Sequence, residues 1–473
     1  MESNREPGSP QRRVVIVGGG MAGTRLAQQL LAQAAGAGAG AGRVALDVTI
    51  IGEEPHPAYN RVLLAEVLAG RYAPEVIALP APVPAAGAGV RRLGGVRVVR
   101  VDRPAAEVLC DNGRRVPYDA LVLATGSNPV LPPLRGLFEP DGRDDLHALP
   151  DGVHAFRTMD DCLALGAAVR PGTRAVVIGG GLLGVSAARA LAQRGAQVVL
   201  AHQGEHLMER QLDPGASRLL RRHMAALGVE VHTECRARGL RTRVAGPGGG
   251  GRAARTVHAV ELADGYALEA DLVVLACGVR PRVGLARAAG LEVARGIVVD
   301  DELRTSDPRV FAIGDCAEHD GVVYGLAGAA QEQADVLAQL LSPAPPLPEP
   351  MGLRPLDPHR GSAPDLAPQS PEGLDFRYTG TRALTRLTLT STSGPLDLAA
   401  FGNPTPAPGD DVIHLTDATR NTYRKVVVRG DRLLGGILLG DLGTVGALAR
   451  AWEGDEALPA APLLHLLTND GGS

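Results

Sequence analysis

Lysine is almost missing from this 473-residue chain: Lys425 is the only one among 48 basic residues, and the other 47 are arginine. Chemistry that needs a lysine elsewhere is excluded. Cysteine is scarce as well. Cys110, Cys162, Cys235, Cys277 and Cys316 are odd in number, far apart and without a CxxC pair, which argues against a disulfide framework and a tetrathiolate metal site. The pattern fits a reducing cytoplasm, and no metal is expected. An excess of charge of one sign is also lacking. The 48 Lys+Arg and 52 Asp+Glu leave −4, so the totals imply neither a nucleic-acid-binding face nor an acidic tail. No apolar run reaches the roughly 18 residues of a membrane span. Arg12-Arg13 before VVIV imitates a twin-arginine export signal, but the run covers only Val14–Val17 and enters a glycine fingerprint, so it reads as a strand.

Gly 61 and Pro 36 together make about a fifth of the chain, short of a low-complexity composition, and the length suggests about three domains. Residues 1–12 are polar and expected to be disordered. Val14–Val17 reads as a strand, Gly18-Gly19-Gly20 as a turn and residues 21–33 as a helix, with AAGAGAGAG at 34–42 an expanded loop before a second strand at 44–51. The arrangement recurs. A strand at 175–178 enters Gly179-Gly180-Gly181 and a helix that Gly195 should stop, followed by a strand at 197–200, a helix at 216–227 and a strand at 229–232. The fingerprints lie 161 residues apart, too far to share one βαβ unit, so two mononucleotide-binding domains are implied. AGPGGGG at 245–251 interrupts a hairpin, and the Pro-rich stretch 342–374 reads as a linker. Beyond it, alternating Leu and Thr at 384–390 and the hairpin of Tyr423–Val428 with Leu433–Leu439 mark a further β-rich domain. Arg429-Gly430-Asp431 is the turn of that hairpin and not an adhesion motif.

Gly18, Gly20 and Gly23 form GxGxxG between strand and helix. The first glycine permits the turn, the second lets a pyrophosphate approach the backbone, and the third brings helix against sheet. Gly179, Gly181 and Gly184 repeat the logic. A strand-end acid should hold the ribose hydroxyls of the first nucleotide, and Glu53 or Glu54 supplies one. At the second strand end stands His202. A carboxylate there would favour NAD and an arginine NADP, so His202 leaves the choice open, as does the nearby Arg210, which could reach a 2′-phosphate or pair with Asp213.

Three further segments raise the specificity: YDALVLATG at 118–126, LVVLACG at 272–278 and TSDPRVFAIGD at 305–315. With them the chain resembles the two-dinucleotide-binding-domain flavoproteins of the glutathione-reductase-like class over residues 14–341. GEEPHPAYNRVLL at 52–64, HLMERQLDP at 206–214 and CAEHDGVVYGL at 316–326 resemble the flavoprotein part of the NAD(P)H-dependent nitrite reductase large subunit. They are equally similar to the FAD electron-transfer subunit of assimilatory nitrate reductase. The resemblance implies an α/β fold: two Rossmann-like dinucleotide-binding domains, the NAD domain inserted in the FAD domain, plus a small C-terminal β-rich α+β domain. The boundaries expected are 13–135 and 281–341 for FAD, 136–280 for NAD(P)H, 342–374 for the linker and 375–473 for an interface or docking domain.

The resemblance further implies that FAD is held by Gly18, Gly20, Met21, Ala22, Gly23, Glu53, Arg61, Val98, Ala124, Thr125, Gly126, Arg157, Gly314 and Asp315. NAD(P)H would lie on Gly179, Gly181, Leu182, Leu183, Gly184, His202, Cys277 and Gly278. Asp315 would take the flavin ribitol, and a helix starting near Ala329 would point at the flavin pyrimidine edge. Glu66 stands where many relatives carry a lysine beside the flavin. Disulfide reductases of this class need CxxxxC on the first domain's helix, yet no cysteine precedes Cys110; Cys316 reads as a buried structural thiol. The iron–sulfur and sirohaem regions that follow in nitrite reductase are absent from these 473 residues. The function implied is an FAD-dependent NAD(P)H oxidoreductase that hands electrons to a partner redox protein or reductase subunit, in nitrate or nitrite assimilation. Open alternatives are a rubredoxin- or ferredoxin-type reductase and, from another class, an NAD(P)H-sensing scaffold or a homodimer through the C-terminal domain.

Overall fold

Two parallel sheets organise the chain, and each grows from a strand that enters a glycine turn. The computed structural model describes residues 11–36, 45–85, 88–138, 149–244, 255–342, 376–382, 384–390, 394–417, 419–454, 457–458 and 467. Most of the N-terminal segment, residues 37–42 of the first glycine-rich loop, the loop at 245–251 and residues 343–374 of the linker lie outside them, while residues 34–36, expected as loop, prolong the helix Met21–Gly36. Two compact units result: residues 1–58, 79–126 and 281–381 in the first, and 59–78, 127–280 and 382–473 in the second. Residues 59–78, contiguous with the first nucleotide motif in sequence, thus group with the second unit.

The first unit holds a five-stranded sheet in the order Val310–Ala312, Ala120–Leu123, Gln11–Val17, Ala45–Gly52, Ala88–Gly94, with every pairing parallel. A parallel sheet is covered on both faces, so its strands read as continuous apolar runs and not as alternation. Val14–Val17 and Ala120–Leu123 are buried at every position. Each such Val or Leu contributes about 1.5–3 kcal/mol on leaving water. The first strand begins at Gln11, earlier than the apolar run, because Arg13 binds Asp119 through both its backbone N–H (2.7 Å) and its guanidinium. Helices Met21–Gly36 and Ala327–Leu341 pack on this sheet through Leu26, Leu30, Ala334 and Leu337.

The second unit repeats the design with the parallel order Val229–His232, Gln197–Ala201, Arg174–Ile178, Leu272–Leu275, Val153–Ala155. Leu182–Gln193 ends as the sequence predicts, with Gly195 at φ +84°. Ala237–Val244 and Arg255–Leu262 pair antiparallel across the glycine-rich insertion. The C-terminal part is a five-stranded antiparallel sheet with helix Val445–Glu453, and Gly430 (φ +60°) makes the expected hairpin turn between Thr422–Arg429 and Arg432–Gly440.

One face of that sheet belongs to the core of the parallel-sheet part of its unit. Leu389, Leu396, Leu398, Ile437 and Leu439 share a cluster with Val185, Leu191, Leu219 and Leu220. Polar ties reinforce it. Asp213 caps helix Pro214–Ala226 through the Ala216 N–H and accepts from Tyr423 Oη at 2.7 Å and Lys425 Nζ at 2.9 Å. Burial pushes its pKa up, but the Ala216, Lys425 and Tyr423 bonds outweigh it and hold the carboxyl below its usual value. The sole lysine is therefore a structural cation, and Asp213 meets it in place of Arg210, which is exposed. Arg189, 1% exposed, donates to Glu66 and to Thr390 Oγ1 (2.6 Å), so the glutamate at the lysine position is half of a buried ion pair.

Candidate functional site: two glycine cradles

In the first unit the backbone of the turn 18–23 leaves no room for side chains at two of its three fingerprint positions. Gly18 has φ +128°, and a Cβ there would lie 2.0 Å from the Ala124 carbonyl oxygen; one on Gly23 would lie 2.1 Å from the Gly18 oxygen and 3.0 Å from Ile16. At Gly20 a Cβ meets nothing within 4 Å. Two glycines thus serve close packing, and the third leaves an open face in front of helix Met21–Gly36. Its first turn carries no acidic residue to compete for an anion at the positive end of the helix. An open backbone face at a helix N-terminus, walled by packed glycines, fits the pyrophosphate of a dinucleotide.

The other first-unit residues named from sequence converge on this end of the sheet by different routes. Ala124, Thr125 and Gly126 (φ +70°) follow the central strand Ala120–Leu123; the Ala124 N–H donates to Val17 O at 2.8 Å, and Thr125 Oγ1 to Arg282 O at 2.8 Å. Gly314 and Asp315 follow Val310–Ala312, where the Gly314 N–H donates to Gln333 Oε1 at 2.7 Å. Glu53, just past Ala45–Gly52, is half exposed and ion-paired to Arg282 at 2.5 Å. Met21 and Ala22 form the first turn of the helix. Val98 is buried in a separate small sheet opposite Cys110. Cys316 is fully buried, with Sγ 3.3 Å from the carbonyl oxygens of Leu123 and Ile313, and burial raises its pKa. Arg61 and Arg157 belong to the second unit, where Arg61 donates to the Arg157 carbonyl at 2.8 Å and Arg157 to Ser127 Oγ at 2.7 Å.

The second cradle matches the first almost atom for atom. Gly179 has φ +117° with its Cβ position 2.3 Å from Ala276 O, Gly184 would place a Cβ 1.8 Å from Gly179 O, and Gly181 meets nothing within 4 Å. Leu182 and Leu183 open helix Leu182–Gln193, again without an acid in its first turn. Cys277, partly buried, lies with Sγ 3.5 Å from Ile178 O, and burial pushes its thiol up to about 11. It is therefore no thiolate at neutral pH. Gly278 follows at φ +98°. The His202 ring lies against Gly180.

Sequence reading missed Arg282 and Gln333, which brace the turns at 124–126 and 314–315. Both follow quoted motifs at short distance, Arg282 four residues after LVVLACG and Gln333 within the helix after AIGD, but only the fold turns them inward. Among the described residues no group of three His, Cys, Asp or Glu could hold a metal ion, and no helix is long and apolar enough to cross a membrane.

Residues 12–334 match the family described as pyridine nucleotide-disulphide oxidoreductase, and residues 394–453 match the rubredoxin NAD+ reductase C-terminal domain. The assimilatory nitrate reductase electron transfer subunit of Bacillus subtilis (strain 168) is 32% identical over 431 residues, 91% of this chain and 48% of that protein. Putidaredoxin reductase of Pseudomonas putida is 32% identical over 312 residues, 66% of this chain and 68% of the relative. The chain thus spans about half the length of the first and about two thirds of the second. In fold it superposes on the putidaredoxin reductase of a covalent putidaredoxin complex with a TM-score of 0.73 at 24% identity, covering 97% of this chain and 99% of the other. Two packed glycine cradles in ordered succession and the match over most of the chain have one meaning: the chain belongs to the pyridine nucleotide-disulphide oxidoreductase family, whose members depend on FAD and NAD(P)H.

Proposed function

We propose that this chain takes electrons from NAD(P)H and passes them, through FAD, to a separate redox protein, as the electron-transfer component of nitrate or nitrite assimilation. The observation that carries the reading is the pair of open glycine faces at Gly20 and Gly181, one per sheet, each at a helix N-terminus free of acids. When bound, FAD supplies the step that couples two-electron nicotinamide oxidation to an acceptor. The chain's own residues do the rest: Gly18–Gly23 and the turns at 124–126 and 314–315 hold the flavin nucleotide, and Gly179–Gly184 holds NAD(P)H. Helix Ala327–Leu341, with no acid in its first turn, offers a positive end toward a flavin anion. The likeness to the nitrate reductase subunit supports the assimilatory role.

Thiol relay chemistry has no support. All five cysteines are free, and for each of them burial raises the thiol pKa, which speaks against a thiol relay to a disulfide substrate. Free thiols also suit the cytoplasm. A second reading, a rubredoxin- or ferredoxin-type reductase, is favoured by the match of residues 394–453. Steady-state reduction separates them. Under NAD(P)H, the assimilatory reading expects turnover with a nitrate or nitrite reductase partner to exceed turnover with rubredoxin or a small ferredoxin; the reverse order supports the second. Comparable turnover with glutathione disulfide would refute both.

A further inference from the structure

Strand Gln197–Ala201 ends one residue before His202, beside the strand that enters the second glycine turn. His202 Nδ1 accepts the Gly180 N–H at 3.1 Å, and a Cβ on Gly180 would lie 2.6 Å from the ring. With Nδ1 accepting, the neutral ring carries its proton on Nε2. Burial keeps it neutral, lowering its pKa against the opposing pull of Glu209 and the His206 backbone. Nε2 is buried without a hydrogen-bond partner among the described residues. Glu209 Oε2 faces it at 3.8 Å, beyond direct hydrogen-bond reach.

Three features hold that carboxylate in place. Its Oε1 accepts the Glu205 N–H at 2.8 Å. Residue 204 is glycine, and a Cβ there would lie 2.4 Å from both carboxylate oxygens. Met208 takes the left-handed φ of +55° while its N–H binds Gly180 O at 2.9 Å, which folds the chain back over the turn. Such a conformation is strained in a bulky residue and persists where its surroundings fix it.

A donor and an acceptor set 3.8 Å apart leave a pair of bonds that one hydroxyl completes, accepting from Nε2–H and donating to the carboxylate. A phosphate could accept from Nε2–H, but it would bring its charge against Glu209. We infer that His202 and Glu209 form the receptor for the adenine-ribose 2′-hydroxyl, and that Glu209 makes this chain select NADH over NADPH. The acid absent from the strand end is supplied seven residues later. The inference rests on Gly179–Gly184 being the nicotinamide-nucleotide cradle.

The test is calorimetric titration of the full-length protein with ADP-ribose and 2′-phospho-ADP-ribose, neither of which reduces a flavin. ADP-ribose should bind about tenfold more tightly. Glu209→Gln keeps an oxygen for the Glu205 N–H and should bring the two affinities within about threefold, chiefly by improving the phosphorylated probe. Equal binding by the unaltered protein, or a ratio that Glu209→Gln does not move, overturns the inference while leaving the cradle intact. Binding of neither probe overturns the cradle reading and this inference together.

Discussion

Gly20→Ala is expected to leave the chain folded and to cost it most of its FAD, whereas Gly23→Ala should damage the fold itself. The two positions lie three residues apart in one turn, yet their surroundings are opposite. A Cβ at Gly20 meets no protein atom within 4 Å, so unfolding in the absence of cofactor should change by less than about 0.5 kcal/mol. The same methyl projects into the open face in front of the helix, where the pyrophosphate would approach the backbone, and FAD affinity should fall about tenfold or more. At Gly23 the Cβ would lie 2.1 Å from the Gly18 carbonyl oxygen. Helix and strand must separate, at a cost of about 1–3 kcal/mol or more. Flavin retained per chain after gel filtration, measured beside urea unfolding of the apoprotein, reads both effects. A Gly20→Ala protein with full flavin content and unchanged affinity would show that the open face is not the FAD site.

The second large effect belongs to Arg189. Its guanidinium is 1% exposed and bound to Glu66 and Thr390. Arg189→Ala would leave the Glu66 carboxylate, 15% exposed, with the more distant Arg71 guanidinium at 3.8 Å, and should destabilise the second unit by about 3 kcal/mol. A double Arg189→Leu, Glu66→Leu variant should recover most of that loss, because a buried ion pair gains little over apolar side chains of similar volume. Urea unfolding of the single and double variants decides it; equal losses in both would mean that packing and not charge is at stake. The same geometry bears on deletion of residues 343–473. It would remove Thr390, Lys425 and Tyr423 from their partners and uncover the core shared with Leu398 and Ile437. Loss of activity in such a truncation would not by itself report acceptor docking.

What was legible in the sequence was local or periodic. Val14–Val17 before GGGMAG fixes strand, turn and helix at once, because only that order places Gly18 and Gly23 where backbone meets backbone and Gly20 at an open face. The hairpin at 429–432 and the stop at Gly195 are equally local. Residues 59–78 were not legible in this way: they continue a first-unit motif in sequence, but Tyr59, Leu64, Leu68 and Ile77 bury their side chains in the core of the second unit. The Glu66–Arg189 and Asp213–Lys425 pairs join residues far apart in sequence, and no spacing rule announces them. The ribose corner shows the same limit on a small scale. The strand end carries His202, which says nothing about the 2′ position, and the acid arrives only because Met208 adopts a positive φ that nothing in a methionine foretells.

If both glycine cradles hold dinucleotides, NAD(P)H bound at the second should reduce FAD bound at the first. Anaerobic titration of the purified FAD-loaded protein with NADH, and separately with NADPH, tests it by following the visible absorbance of oxidised flavin. One equivalent of NADH should bleach the flavin rapidly, and NADPH should do so at markedly higher concentration or more slowly. A protein that takes up no flavin, or whose bound flavin neither nucleotide bleaches, would contradict it.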